Sequence, residues 1–76
     1  MDHPAVEQER RRLVTELKER RIAAGWTQAH VAALIGLSRP QVTNGESDNP
    51  SARFSLDALL AYAAAVGCRF TLEQID

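Results

Sequence analysis

Apolar and polar positions repeat along this chain with two different periods. From Ala5 or Val6 to Ala24 the period is helical: Val6, Leu13, Leu17 and Ala24 form an apolar stripe among charged residues. A long first helix is expected there, ended by Gly25. Two short helices should follow. Thr27 is placed to cap the first, Ala29, Val31, Ala32, Ala33, Leu34 and Ile35 carry it, and Gly36 suits the left-handed position that stops it. Ser38 should cap the second, with Gln41 completing a Ser-x-x-Gln capping box. Leu37 with Val42, and Trp26 with Val31 before them, have the spacing of hydrophobic staples. Two capped helices so close in sequence must cross steeply, which leaves the second free to project from the body.

Residues 47–54 are polar and turn-rich and read as a loop. A further helix then starts at the cap Ser55, has Asp57 in its first turn, presents Leu56, Leu59, Leu60, Ala63 and Val66 on one face, and ends at Gly67. Tyr62 lies off that stripe and is assigned to an interface. The period then changes to two in Cys68-Arg69-Phe70-Thr71-Leu72-Glu73, the pattern of a β-strand over residues 68–73. No other stretch reads as its partner, and a solitary strand leaves its backbone groups unpaired. Cys68, Arg69, Phe70, Thr71 and Leu72 are therefore expected to pair with a second copy in a two-fold dimer, the alternative being a tail docked on the helices.

Composition narrows the class. The 76 residues suffice for one domain with a small core, and 45% are hydrophobic with few aromatics, which favours close-packed helices: the expected class is all-α. A net charge of -1 gives no global basic field. Charge is instead concentrated in the first helix, at Arg10, Arg11, Arg12, Lys18, Arg20 and Arg21. With Glu7–Arg11 and Glu16–Arg20 at i,i+4 spacing, most of it reads as a solvated, self-paired face rather than a phosphate-binding strip. Arg21 differs. It falls on the apolar side with Leu13 and Leu17, where a guanidinium needs a buried carboxylate, and Glu46 is the candidate.

No apolar run has the length of a signal peptide or membrane span, and a lone Cys68 makes no internal disulfide, so a reducing cytoplasm is expected. His3, His30 and Cys68 lack metal-ligand spacing, and no nucleophile, base and orienting group assemble. An enzyme, a metal, a cofactor, a membrane or a small-molecule substrate is not expected. The residues 1–4 are expected to fray.

The pattern Thr-Gln-x-x-Val-Ala-x-x-x-Gly-Leu-Ser-x-x-x-Val-x-x-x-Glu, which includes Gln28, Gly36, Ser38, Val42 and Glu46, resembles the lambda-repressor-like, Xre/Cro type of helix-turn-helix domain. The likeness runs from about residue 10 to residue 67. It implies an all-α, five-helix domain with its helix-turn-helix at residues 27–46, and an ion pair between the arginine at position 21 and the glutamate at 46. The Asn-Pro loop, the Ser-Leu-x-x-Leu-Leu helix and the terminal Arg69-Phe70-Thr71-Leu72 are more narrowly similar to HipB-type antitoxins. That narrower likeness implies a bacterial, dimeric autorepressor on a palindromic DNA operator, partnered by a HipA-like kinase toxin. A stand-alone phage-type repressor, and an adaptor that mainly holds a protein toxin, are the alternatives. One departure is Gly45, which stands where the family usually places a large apolar residue: either the helix ends early or a neighbour fills the gap. Another is the stop at Asp76, from which no tail able to grip a toxin is expected.

In this class the second short helix enters the major groove. With Val42 facing inward, Arg39, Pro40, Thr43 and Asn44 are the outward set: Arg39 for a guanine, Asn44 for an adenine, Thr43 for a base or phosphate, Pro40 for a thymine methyl. Gln28, Ser38, Gln41 and Ser47 are assigned to phosphates, through side chains and helix N-terminal amides. Capping is the plainer role for Gln28 and Ser38, and a capping box would turn Gln41 away from DNA.

Overall fold

A computed structural model describes residues 4–47 and 49–74, and builds them from four helices. The first, α1 (Pro4–Ala23), starts on a proline, whose fixed φ and missing N–H suit a helix's first turn. Pro4 is thus helical rather than frayed; the expectations for residues 1–3, His3 included, lie outside the described residues. The buried stripe of α1 is Val14, Leu17 and Arg21, whereas Val6 and Ala24 are exposed and Leu13 is half-buried. Two stripes, one through Leu13 and one through Val14, overlap at Leu17 and Arg21, and the one through Val14 turns inward.

The short helices are α2 (Gln28–Ile35) and α3 (Arg39–Glu46). Thr27 caps α2 by accepting from the His30 N–H at 3.0 Å, and Gly36 closes it at φ 75°, in the left-handed region. The ring of Trp26 lies edge-on to His30, with centroids 4.9 Å apart, while Val31 is fully buried in the core. The capping box forms at α3 as expected.

Gly45 is resolved by a neighbour. The helix continues through it to Glu46, and a Cβ at position 45 would lie 2.5 Å from Cζ of Phe54. The Phe54 ring, buried from the loop that follows, fills the space that a larger residue at 45 would have taken. It then meets Tyr62 edge to face, with centroids 5.8 Å apart.

The last helix, α4 (Leu56–Ala65), is capped by Ser55, which accepts from the Ala58 N–H. Its inward face is Leu59, Tyr62 and Ala63, while Leu56 and Leu60 are 68% and 46% exposed. Tyr62 is not an interface residue: it is fully buried, one of the three largest enclosed side chains with Val31 and Val42. Among the described residues there is no fifth helix and no strand. Residues 68–74 are irregular, and their alternation seats Cys68 and Phe70 against the core while Arg69, Thr71 and Leu72 face out. A single chain offers this segment no edge to pair with.

No helix among the described residues is long and apolar enough to cross a membrane.

Candidate nucleic-acid interface

The inward face of α3 is Val42, Gly45 and Glu46, so the remaining positions of this short helix are set outward by geometry. Arg39, Pro40 and Thr43 are exposed; Asn44 is half-buried and, with Gln41, lines a groove against Ala52, Arg53 and Phe54. The four residues expected to meet bases are therefore on one side of α3, with Asn44 turned toward its flank. Between Arg21 and Arg53, Arg39 is the only lysine or arginine, so it supplies the positive charge of this face.

Beneath it lies a polar cluster that joins all four helices. Arg21 of α1 donates to both oxygens of Glu46, from Nε to Oε2 at 2.9 Å and from Nη2 to Oε1 at 3.0 Å, and its Nη1 donates to the Trp26 carbonyl at 2.7 Å. Tyr62 of α4 donates its hydroxyl to Glu46 Oε2 at 2.5 Å. Gln28 of α2 donates Nε2 to Glu46 Oε1 at 3.1 Å, and Thr43 donates its hydroxyl to Gln28 Oε1 at 2.6 Å. The expected pair between Arg21 and Glu46 is thus present as a two-bond fork, the arrangement in which a buried carboxylate is satisfied.

Burial pushes the Glu46 carboxyl up, but the hydrogen bonds from Arg21, Tyr62 and Gln28, aided by the Arg21 charge, outweigh it and hold the group below its ordinary value of 4.5. The Glu46 bond holds Arg21 correspondingly above its ordinary value, against its own burial. Burial first, and then the adjacent carboxylate, push the Tyr62 phenol well up, so it stays a donor.

The residues assigned to phosphates divide. Ser38 and Gln41 are engaged with each other: Ser38 Oγ accepts from the Gln41 N–H at 3.3 Å, and Gln41 Oε1 accepts from the Ser38 N–H at 2.8 Å. Pro40 has no N–H, so Arg39 carries the remaining amide of the first turn of α3. The first turn of α2 is more open, because its ladder leaves the Gln28 and Ala29 amides outside while His30 bonds the cap. Ser47 sits at the C-terminal end of α3, donating Oγ to the Asn44 carbonyl at 3.0 Å.

Two residues of this site were not apparent from the pattern. Arg53 borders the groove beside Gln41 and Asn44, with Nη2 donating to Glu7 at 3.0 Å, and puts a second guanidinium at the flank of α3. Its position in a polar loop gave no periodicity to read. Tyr62 completes Glu46, and its signal was the need of any buried phenol for an acceptor.

Elsewhere several charges of α1 are paired, although in another register than expected: Glu7 meets Arg10 and, from the loop before α4, Arg53, and Arg12 meets Glu9 and Glu16. Among the described residues no group of three His, Cys, Asp or Glu is placed to hold a metal. A sequence model of the helix-turn-helix family matches residues 17–72, which span α2, α3, α4 and the end of α1. No curated protein and no solved structure matches the chain.

Proposed function

The chain belongs to the Xre/lambda-repressor-like helix-turn-helix family, and from that premise we propose that it is a dimeric, sequence-specific transcriptional repressor. The observation that carries this reading is the two-sided character of α3. One side is tied down through Glu46 to the other three helices, and the other presents Arg39, Pro40 and Thr43 to solvent. A helix so held enters a major groove as a rigid body, with Arg39 at a guanine edge, Asn44 and Pro40 beside it, and the α2 amides and Gln28 on a phosphate.

Duplication comes from a second copy. Residues 68–72 keep the alternation of a strand, and Leu72 is fully exposed in the single chain. Pairing this segment across a two-fold axis gives a small antiparallel sheet and two α3 helices about 34 Å apart on a palindromic operator. Leu72→Asp then gives a monomer with weakened operator binding and an intact fold. Light scattering that finds an unchanged dimer contradicts the sheet. The narrower reading is an antitoxin that represses its own operon in the cytoplasm of a bacterium. A HipA-like kinase found encoded beside it would support that role, and a neighbour of another kind would remove it.

The net charge of -1 and the scarcity of cations near α3 favour one competitor, an adaptor that holds a protein toxin and binds DNA weakly. Titration of the chain's own upstream DNA at several salt concentrations separates the two. A repressor gives a specific complex whose affinity falls with salt. Arg39→Ala costs it about 1–3 kcal/mol at one base pair. An adaptor gives no specific complex at any salt.

A further inference from the structure

Glu46 sets the direction of a short chain of hydrogen bonds that ends on the exposed face of α3. As a carboxylate it only accepts, so the Gln28 atom 3.1 Å away must be the amide nitrogen. The carbonyl oxygen of Gln28 consequently faces Thr43 Oγ1 at 2.6 Å, and between those two oxygens the threonine alone carries a proton. The Thr43 hydroxyl donates inward, and a hydroxyl has one proton. What it retains for a ligand is lone pairs and a methyl group.

From this geometry we infer that Thr43 reads DNA as an acceptor, and that Gln28 is the positioning residue that makes it one. The inference rests on the DNA-binding reading of α3 and specifies it. In the major groove the hydrogen-bond donors are the exocyclic amines, N6 of adenine and N4 of cytosine, whereas purine N7, guanine O6 and thymine O4 all accept. Thr43 takes a hydrogen bond from one of those amines and gives none to N7, O6 or O4. An ordinary threonine can do either; here a buried arginine–glutamate pair two side chains away selects which.

The test uses the full chain and duplex DNA. Selection from a randomised duplex pool with the wild type and with Thr43→Val, which keeps the shape and removes the hydroxyl, identifies the base pair under Thr43 as the one whose preference changes. At that pair the exocyclic amine is removed, by 2-aminopurine for adenine or 2-pyrimidinone for cytosine. Wild-type affinity should fall about two- to tenfold, the range of one neutral hydrogen bond, with no fall for Thr43→Val. Replacing the purine by its 7-deaza analogue should leave the wild type unchanged and weaken Gln28→Leu, whose Thr43 proton is released. Should Gln28→Leu not fold, the wild-type comparison decides. A wild type sensitive to loss of N7 and insensitive to loss of the amine overturns the inference, as does a selection that Thr43→Val leaves unaltered. Both of those results leave the DNA-binding reading standing. A wild type that enriches no sequence removes that reading and the inference together.

Discussion

Arginine meets glutamate in two regions of this molecule, and the same chemistry does different things in each. On the surface of α1, Arg12 pairs with Glu9 and Glu16 one turn away on its own helix, with more than half of each side chain exposed. In the interior, Arg21 pairs with Glu46 from a different helix, with side-chain exposures of 10% and 2%, and every remaining lone pair finds Tyr62 or Gln28. The pairs of Arg12 satisfy only their own helix. The buried pair fixes how three helices approach α3 and, through Gln28, which way a hydrogen bond points on the exposed face of α3. Depth and sequence separation, not the pair itself, decide between a solvated surface and a structural joint.

Breaking the buried joint should have the largest effect. Glu46→Ala leaves the Arg21 guanidinium buried without its carboxylate, and a loss of about 3–5 kcal/mol is expected by denaturant titration. A loss as small as that of a surface variant would erase the distinction between the two regions. Tyr62→Phe removes one donor to the carboxylate while keeping the ring against Phe54, and should cost about 1.5–3 kcal/mol, the range for a hydrogen bond to a charged group.

Acid should act on the buried pair far more than on the surface ones. The carboxyl of Glu46 is held below its ordinary value of 4.5 in the folded chain, so its contribution to stability is complete above that value and is lost as pH falls through the lower folded one. Melting temperature should drop in that window, and Glu46→Gln should flatten the drop. The exposed Glu9 is lowered chiefly by its bond to Arg12, so its sign is the same, but solvent screens it. The smallest effect belongs to Arg12→Ala, whose melting curve should overlay that of the wild type. A clear shift there would mean that the surface pairs of α1 carry structure after all.

What could be read beforehand was what is local or charged. The caps Thr27, Ser38 and Ser55 and the terminator Gly36 act within a few residues, so their partners lie within the span that the eye compares. The Arg21–Glu46 pair was legible for another reason: a guanidinium on an apolar stripe demands a carboxylate, and few are available. Contacts between distant side chains were not legible. Gly45 is explained only by the Phe54 ring, which arrives from a loop without periodicity. Tyr62 lies off a stripe drawn through leucines, yet α4 rotates to bury it, because its hydroxyl meets Glu46 and Leu56 and Leu60 are left in solvent. The alternation in residues 68–73 described which side chains face the core, Cys68 and Phe70, and the single chain shows that pattern without a strand. Of the outward set on α3, exposure places Arg39, Pro40 and Thr43 as read, and Asn44 is turned toward the groove beside Arg53.

The outward face of α3, held from below by Glu46, is the surface proposed to bind DNA. Backbone amide NMR shifts on titration with a duplex selected from a random pool test it most directly. The largest shifts should fall on Arg39, Thr43 and Asn44, and on Gln28 and Ala29 at the start of α2, with the Arg21–Glu46 neighbourhood following weakly. Shifts concentrated instead on α1 or on residues 68–74, with α3 unmoved, would contradict it.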